Sequence, residues 1–264
     1  MSPSAPAARI RWTYVFVDRP AAGFEQACAF WAGVTDARVS EARGERGEFV
    51  TLVPEGVDAC VKVQAVDGGV GGAHPDFCVE DVAAFVGAAR ALGAVVVASH
   101  EGWAVLRSPA GQLFCAVPWG GESVRPAVVD GSRVDQICVD VPPSGYDAEV
   151  AFWSGLLPDW TSRPGSRPEF HVVAPPPGLP IRMLLQRLDD GERGVSAHLD
   201  LACGSDVDAV RARHEGLGAA LVAVHPHWVV LRDPAGGLYC LTGRDPRTGG
   251  LPRPAAAESP RVDS

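Results

Sequence analysis

Two histidines stand in the same short frame, Ala73-His74-Pro75-Asp76 and Ala197-His198-Leu199-Asp200. A strand histidine followed two residues later by an aspartate has three possible roles: a structural residue held by a hydrogen bond, a pocket group that donates or accepts near neutral pH, or a metal ligand. Trp103 and Trp228 each open the first strand of a hairpin. A planar ligand stacks on such indoles, and ligand pockets are rich in them; the plainer role is to plug the open end of a sheet. In His225-Pro226-His227-Trp228, His225 and His227 are two apart and on a strand share a face. Without a third ligand they make no metal site, and a loop that merely contains histidines is the simpler account. Cys115 and Cys240 act as nucleophiles only beside a base that lowers their pKa. Their apolar neighbours favour buried structural thiols. No GxSxG, phosphate-binding loop or dinucleotide-binding GxGxxG occurs.

The elements that must position these residues recur. Leu106-Arg107-Ser108-Pro109-Ala110-Gly111-Gln112-Leu113-Phe114-Cys115 returns 125 residues later as Leu231-Arg232-Asp233-Pro234-Ala235-Gly236-Gly237-Leu238-Tyr239-Cys240. Proline suits the second position of a type I turn and glycine the fourth, so each copy reads as a hairpin between half-buried strands. Phe30-Trp31 returns as Phe152-Trp153 and Gln64 as Gln186, both 122 residues on, and Ala73–Asp76 returns at 124. Offsets that drift at loops and hold within elements mark a duplicated domain.

Phe24, Ala27, Cys28 and Trp31 fall on one helical face, so Trp31 and Trp153 are expected in a helix–sheet core. Gly33 is expected to end the first helix. Asp81 is expected to cap the second, which Gly93 stops. Within each half a strand, a helix and three strands follow one another twice. The chain is therefore read as four βαβββ modules of α+β class, helices outside curved sheets. The halves span 10–119 and 133–243. A Gly- and Pro-rich linker is expected at 120–132 and disordered tails at 1–9 and 244–264.

Lys and Arg number 23 against 32 Asp and Glu, a net charge of −9, which is not the balance of a nucleic-acid binder. No apolar run approaches the length of a membrane span. The beginning lacks the pattern of a signal peptide, and seven cysteines without a CxxC pair suit a reducing cytoplasm.

The FW pair closing each first helix, the AHxD strand openings and the LxDPxGxxxC hairpin (with Ser108 in place of Asp in the first copy) resemble the vicinal oxygen chelate superfamily, also called glyoxalase/bleomycin-resistance/dioxygenase, in a tandem arrangement. The resemblance implies two glyoxalase-like domains, each with paired modules forming a cupped sheet around a pocket. In metal-dependent relatives four strand positions supply the ligands. These match Tyr14, Gln64, His74 and Cys115 in the first half, and Gln136, Gln186, His198 and Cys240 in the second. Relatives usually place a carboxylate on the last strand, where this chain has cysteine.

Amides are poor partners for a dication, so the leading expectation is a binding protein without a metal cofactor. It would hold a small apolar or aromatic molecule in the cups, in a resistance or sequestration role, with Tyr14, Gln64, His74, Trp103, Gln136, Gln186, His198, His227 and Trp228 as candidate contacts. The alternatives are a lyase, isomerase or dioxygenase using one divalent metal at Gln136 and His198 of the second domain, and a scaffold that binds nothing. The expected partner is a small molecule, with no nucleic acid or membrane, in a monomer of paired domains or a homodimer.

Overall fold

The computed structural model describes residues 9–69, 71–189 and 194–251. Of the tails expected at 1–9 and 244–264, residues 1–8 and 252–264 lie outside the described residues.

The first half runs β1 (Ile10–Pro20), α1 (Phe24–Thr35), β2 (Ala37–Val39), β3 (Phe49–Pro54) and β4 (Val61–Val66). It then repeats as β5 (Gly72–Val79), α2 (Val82–Ala91), β6 (Val95–His100), β7 (Trp103–Arg107) and β8 (Leu113–Pro118). The second half copies this order as β9 (Arg133–Val141), α3 (Tyr146–Leu156), β10 (Thr161–Pro164), β11 (Phe170–Ala174) and β12 (Arg182–Arg187). It closes with β13 (Ser196–Ala202), α4 (Val207–Gly216), β14 (Ala220–Val224), β15 (Trp228–Arg232) and β16 (Leu238–Thr242). The short strands β2 and β10 carry no apolar alternation, so the sequence does not announce them.

Each half makes one eight-stranded sheet, β2-β3-β4-β1-β5-β8-β7-β6 in the first and β10-β11-β12-β9-β13-β16-β15-β14 in the second. The two modules of each sheet meet along antiparallel pairs, β1 with β5 and β9 with β13. The order is that of a duplicated unit joined edge to edge, and the α+β reading holds. Alternation along the strands separates two faces. Val15 and Val17 of β1, Phe77 of β5 and Phe114 of β8 are buried on the helical side. Tyr14, Phe16 and Asp18, with His74 and Asp76, project to the other side, the cup.

The hairpins form as their sequence dictates. Gly111 N donates to Ser108 O at 3.0 Å and Gly236 N to Asp233 O at 2.9 Å. Gly111 and Gly236 take φ of 118° and 96°, conformations that favour glycine. Asp81 caps α2, accepting from Ala84 N at 2.9 Å. Gly33, expected to stop α1, lies inside it; the helix ends at Asp36, which is left-handed at φ 47°. Gly33 is instead a packing position. A Cβ there would sit 3.2 Å from Leu217 Cδ2, and Arg213 of α4 donates to Gly33 O at 2.6 Å. Gly155 of α3 faces Leu92 in the same way, at 3.1 Å.

These contacts show where the halves join: α1 meets α4, and the end of α2 meets α3. Trp31 and Trp153 are fully buried, but each packs onto the opposite half. Trp31 lies against Tyr239 with ring centroids 5.2 Å apart, and Trp153 against Phe114 at 5.0 Å. The two halves thus share one apolar core. Past Gly243 the chain stays packed: Arg244 makes a buried bidentate pair with Asp135 at 2.6 and 2.8 Å.

Candidate metal centre

In the second cup, β9, β12, β13 and β16 bring Gln136, Cys138 and Asp140, Leu184 and Gln186, His198 and Asp200, and Cys240 together. The register sets this, because His198 lies opposite Cys138 and Asp200 opposite both Gln136 and Cys240. Ligand atoms of Cys138, His198 and Asp200 all lie within 4.8 Å of one another. His198 Nδ1 is 3.1 Å from Asp140 Oδ2, and its Nε2 is 3.4 Å from Asp200 Oδ1. Gln136 Nε2 donates to the other oxygen of Asp200. Cys138 Sγ is 3.7 Å from Gln186 Oε1.

This arrangement gives each residue a separate task. Asp140 accepts from Nδ1–H of His198 and so turns Nε2 toward Asp200 and Cys138, the orientation that a ligating histidine needs once its proton is displaced. Gln136 is 2% exposed and fixes the rotamer of Asp200. Asp200 Oδ1, like Asp76 Oδ1 of the first cup, is buried without a hydrogen-bond partner, which costs free energy unless a cation or proton meets it. Burial alone pushes the His198 pKa down. The carboxylates of Asp140 and Asp200 favour the imidazolium, and the net direction is well upward. Burial raises the Cys138 and Cys240 thiols. All seven cysteines are free and buried, as expected for structural thiols rather than exposed nucleophiles.

The first cup holds the same histidine–aspartate frame with different neighbours. His74 Nδ1 is 2.7 Å from Asp18 Oδ2, and its Nε2 is 3.8 Å from Asp76 Oδ1. His74, Asp76 and Cys115 offer ligand atoms within 4.8 Å of one another. Where the second cup has Cys138, the first has Phe16, whose ring stacks on His74 at 4.6 Å and 4°. Where the second has Leu184, the first has Lys62, with Nζ 3.5 Å from Asp76 Oδ2 and 3.8 Å from the centre of the Tyr14 ring. Tyr14 OH donates to Glu122 Oε1 at 2.8 Å, so the segment between the halves lies against this cup.

The expected residues meet mixed fates. His74 and His198 stand at the centre of their cups. Gln136 and Gln186 touch the second cluster from outside it, and Gln64 lies beside Asp18 in the register of β1 and β4. Gln136 donates to the Asp200 carboxylate. Trp103 is stacked under His100 at 3.9 Å and Trp228 under His225 at 4.7 Å. Trp228 also meets Phe170 edge-on at 6.0 Å, bringing β11 and β15 together across the cup. His225 and His227 do not form a pair: His225 turns onto Trp228, and His227 is exposed. Asp18, Asp76, Asp140, Asp200, Cys138 and Lys62 were not counted among the candidates. Their signal was present, since Asp18 and Asp140 recur 122 residues apart and Asp76 and Asp200 recur at 124. A separate cavity of about 220 Å³ opens along the seam of the halves, lined in part by Trp12, Trp119 and Trp160, and contains none of the donors.

The expectation of no metal cofactor is overturned by these clusters. It rested on the four family positions, which offer amides and cysteine. The carboxylates sit two residues further along the same strands, beside the histidines. Imidazole, carboxylate and thiolate together are a donor set that suits zinc and related divalent ions, so the residues of the second cup fit such a group.

Comparison with known proteins agrees with the fold. No curated protein matches the chain by sequence. A Mn(II)-bound glyoxalase from Novosphingobium aromaticivorans has a similar structure, with a TM-score of 0.62 at 16% identity over 94% of this chain and 89% of that one. The 2,2',3-trihydroxybiphenyl 1,2-dioxygenase of Sphingomonas wittichii superposes with a TM-score of 0.59 at 15% identity, covering 89% and 90%. A xylose isomerase-like TIM barrel/4-hydroxyphenylpyruvate dioxygenase fusion protein gives a TM-score of 0.60 at 13% identity, and this chain, covered over 91%, spans 50% of it. No described helix is long and apolar enough to cross a membrane. A family model described as "Glyoxalase-like domain" matches residues 14–117 and again 136–242, and the chain belongs to that family, in two tandem copies.

Proposed function

We propose that the chain is a metal-dependent member of this family, acting on a small molecule that presents two adjacent oxygens to one divalent ion in the second cup. The carrying observation is the convergence of Cys138, His198 and Asp200 in a cup whose β12 position holds apolar Leu184 rather than a competing cation. His198 and Asp200 would hold the ion with Cys138, and Cys240 lies beside Asp200 as a further donor. When bound, the ion supplies Lewis acidity toward a chelated oxygen pair. Asp140 would hold the ring of His198 with Nε2 toward the ion, and Gln136 would hold the Asp200 carboxylate in place. Phe170, Trp228 and Leu184 give the substrate's remainder an apolar and aromatic wall. The names of structurally similar proteins, a glyoxalase and dioxygenases, support lyase, isomerase or dioxygenase chemistry.

Metal analysis of protein purified without chelator tests this reading. The expected result is close to one transition ion per chain, lost in His198→Ala and Asp200→Asn. Substoichiometric metal, together with no rise in melting temperature on adding zinc, manganese, iron or nickel, would refute it.

A further inference from the structure

We infer that the first cup carries its own cation, the Lys62 ammonium against the Asp76 carboxylate, where the second cup has apolar Leu184, so the chain takes one ion and not two.

The two cups are built on the same frame. Asp18, His74 and Asp76 correspond to Asp140, His198 and Asp200, and Cys115 corresponds to Cys240. Both His–Asp pairs have the same connectivity, Nδ1 to the β1-type aspartate and Nε2 toward the β5-type aspartate. Judged on His74, Asp76 and Cys115 alone, the first cup is as good a metal site as the second.

The difference lies on β4 and its copy β12. Lys62 sits beside Phe16 in the β1–β4 register, as Leu184 sits beside Cys138 in the β9–β12 register. Lys62 Nζ lies 3.5 Å from Asp76 Oδ2, and its side chain is 15% exposed. The rings of Tyr14 and Phe16 take the same ammonium at 3.8 and 5.1 Å. Aromatic faces and a carboxylate around one point hold a monovalent ammonium well. A divalent ion held by Asp76 and His74 would face that positive charge in a poorly solvated cup, where like charges repel strongly. Phe16 also replaces the thiol that Cys138 contributes to the second cluster. Donor loss and a tethered cation act in the same direction.

The inference rests on the proposed metal function only for the count of one; the exclusion itself concerns the first cup. Zinc chloride is titrated into metal-stripped wild type, Lys62→Met, Lys62→Arg and His198→Ala, with bound zinc counted by elemental analysis after desalting. One zinc in wild type, two in Lys62→Met, one in Lys62→Arg and none in His198→Ala is the expected pattern. Zero in wild type and one in Lys62→Met would remove the proposed function of the second cup while leaving this inference standing. Two zinc ions in wild type, or no gain in Lys62→Met over wild type, would overturn it. Should Lys62→Met fail to fold without metal, wild type and His74→Ala decide: His74→Ala must keep the wild-type count, and a lower count would overturn the inference.

Discussion

Arg19 of β1 and Asp233 of the β15–β16 turn, 214 residues apart, form a buried ion pair across the seam of the two halves, with Nη2 to Oδ2 at 2.7 Å and side chains 3% and 0% exposed. The Asp233 carboxylate is saturated. Its Oδ2 also accepts from Trp31 Nε1 at 3.0 Å, and its Oδ1 accepts from Ala235 N and Gly237 N, both at 3.0 Å. The pseudo-equivalent seam is built differently. Ser108 stands in the place of Asp233, and the carboxylate comes from Glu149 on α3, which accepts from Trp153 Nε1 at 2.7 Å and Ala110 N at 3.0 Å. Each interface thus keeps one carboxylate for its tryptophan, drawn from opposite partners.

Removing the carboxylate of the first seam strands a buried guanidinium and an indole N–H. Asp233→Ala should destabilise the fold by about 3–5 kcal/mol, the usual cost of breaking a buried pair from one side. Ser108→Ala at the matching turn should cost less, about 1–2 kcal/mol, since the hydroxyl accepts from Gln112 N and supports the Glu149 carboxylate but leaves no charge unpaired. Urea unfolding of both variants checks the contrast, and equal losses would contradict the asymmetry.

His214 gives the seam a pH dependence. It is buried on α4 against Tyr239 OH at 3.1 Å and the edge of Phe30. Burial, with help from Arg213, pushes its pKa down to about 4. The unfolded histidine titrates near its ordinary value of about 6.5. As pH falls from 6.5 to 4 the unfolded chain binds a proton that the folded chain refuses, so stability is full above 6.5 and declines toward 4. The gap corresponds to about 3 kcal/mol. His214→Phe should flatten the stability profile in that window relative to wild type, measured by denaturant midpoints at successive pH values.

Asp140 touches two of the proposed donors, His198 at 3.1 Å and Cys138 at 4.0 Å, and stands outside the donor set itself. Asp140→Asn should weaken zinc binding by roughly 10- to 100-fold without abolishing it, the range typical of a histidine's hydrogen-bond partner. His198→Ala should abolish binding. Competition with a chromophoric chelator separates the two. Identical affinities for wild type and Asp140→Asn would show that the Asp140 contact does not set the imidazole.

Leu184 offers the reciprocal of the Lys62 argument. Leu184→Lys places an ammonium beside Asp200 and His198, as Lys62 stands beside Asp76. The variant should lose its zinc while remaining folded, since in the first half the same frame accepts lysine. Elemental analysis and circular dichroism together check it; retained stoichiometric zinc would contradict the exclusion.

Much of the architecture was legible in the chain itself. The repeated hairpin with Pro and Gly in fixed turn positions, the Asp81 cap, the apolar helix stripes and the constant offsets are local signals, governed by backbone sterics and by the period of each element. They were enough for the α+β class, the four modules and the family. The recurrence of His74 and His198 was legible as well, because each sits in a short frame that occurs twice.

The meaning of those histidines was not. Asp18 and His74 are 56 residues apart, Lys62 and Asp76 lie on strands separated by β1, and Trp31 finds its partner 202 residues away in the other half. Register decides such meetings, and register follows from how whole sheets pair and curl. Sequence determined that both halves carry a strand histidine flanked by carboxylates. Tertiary structure alone decided that lysine stands against the aspartate of one cup and leucine at the matching place in the other, because charge and ligand geometry depend on what long-range pairing brings within a few ångströms.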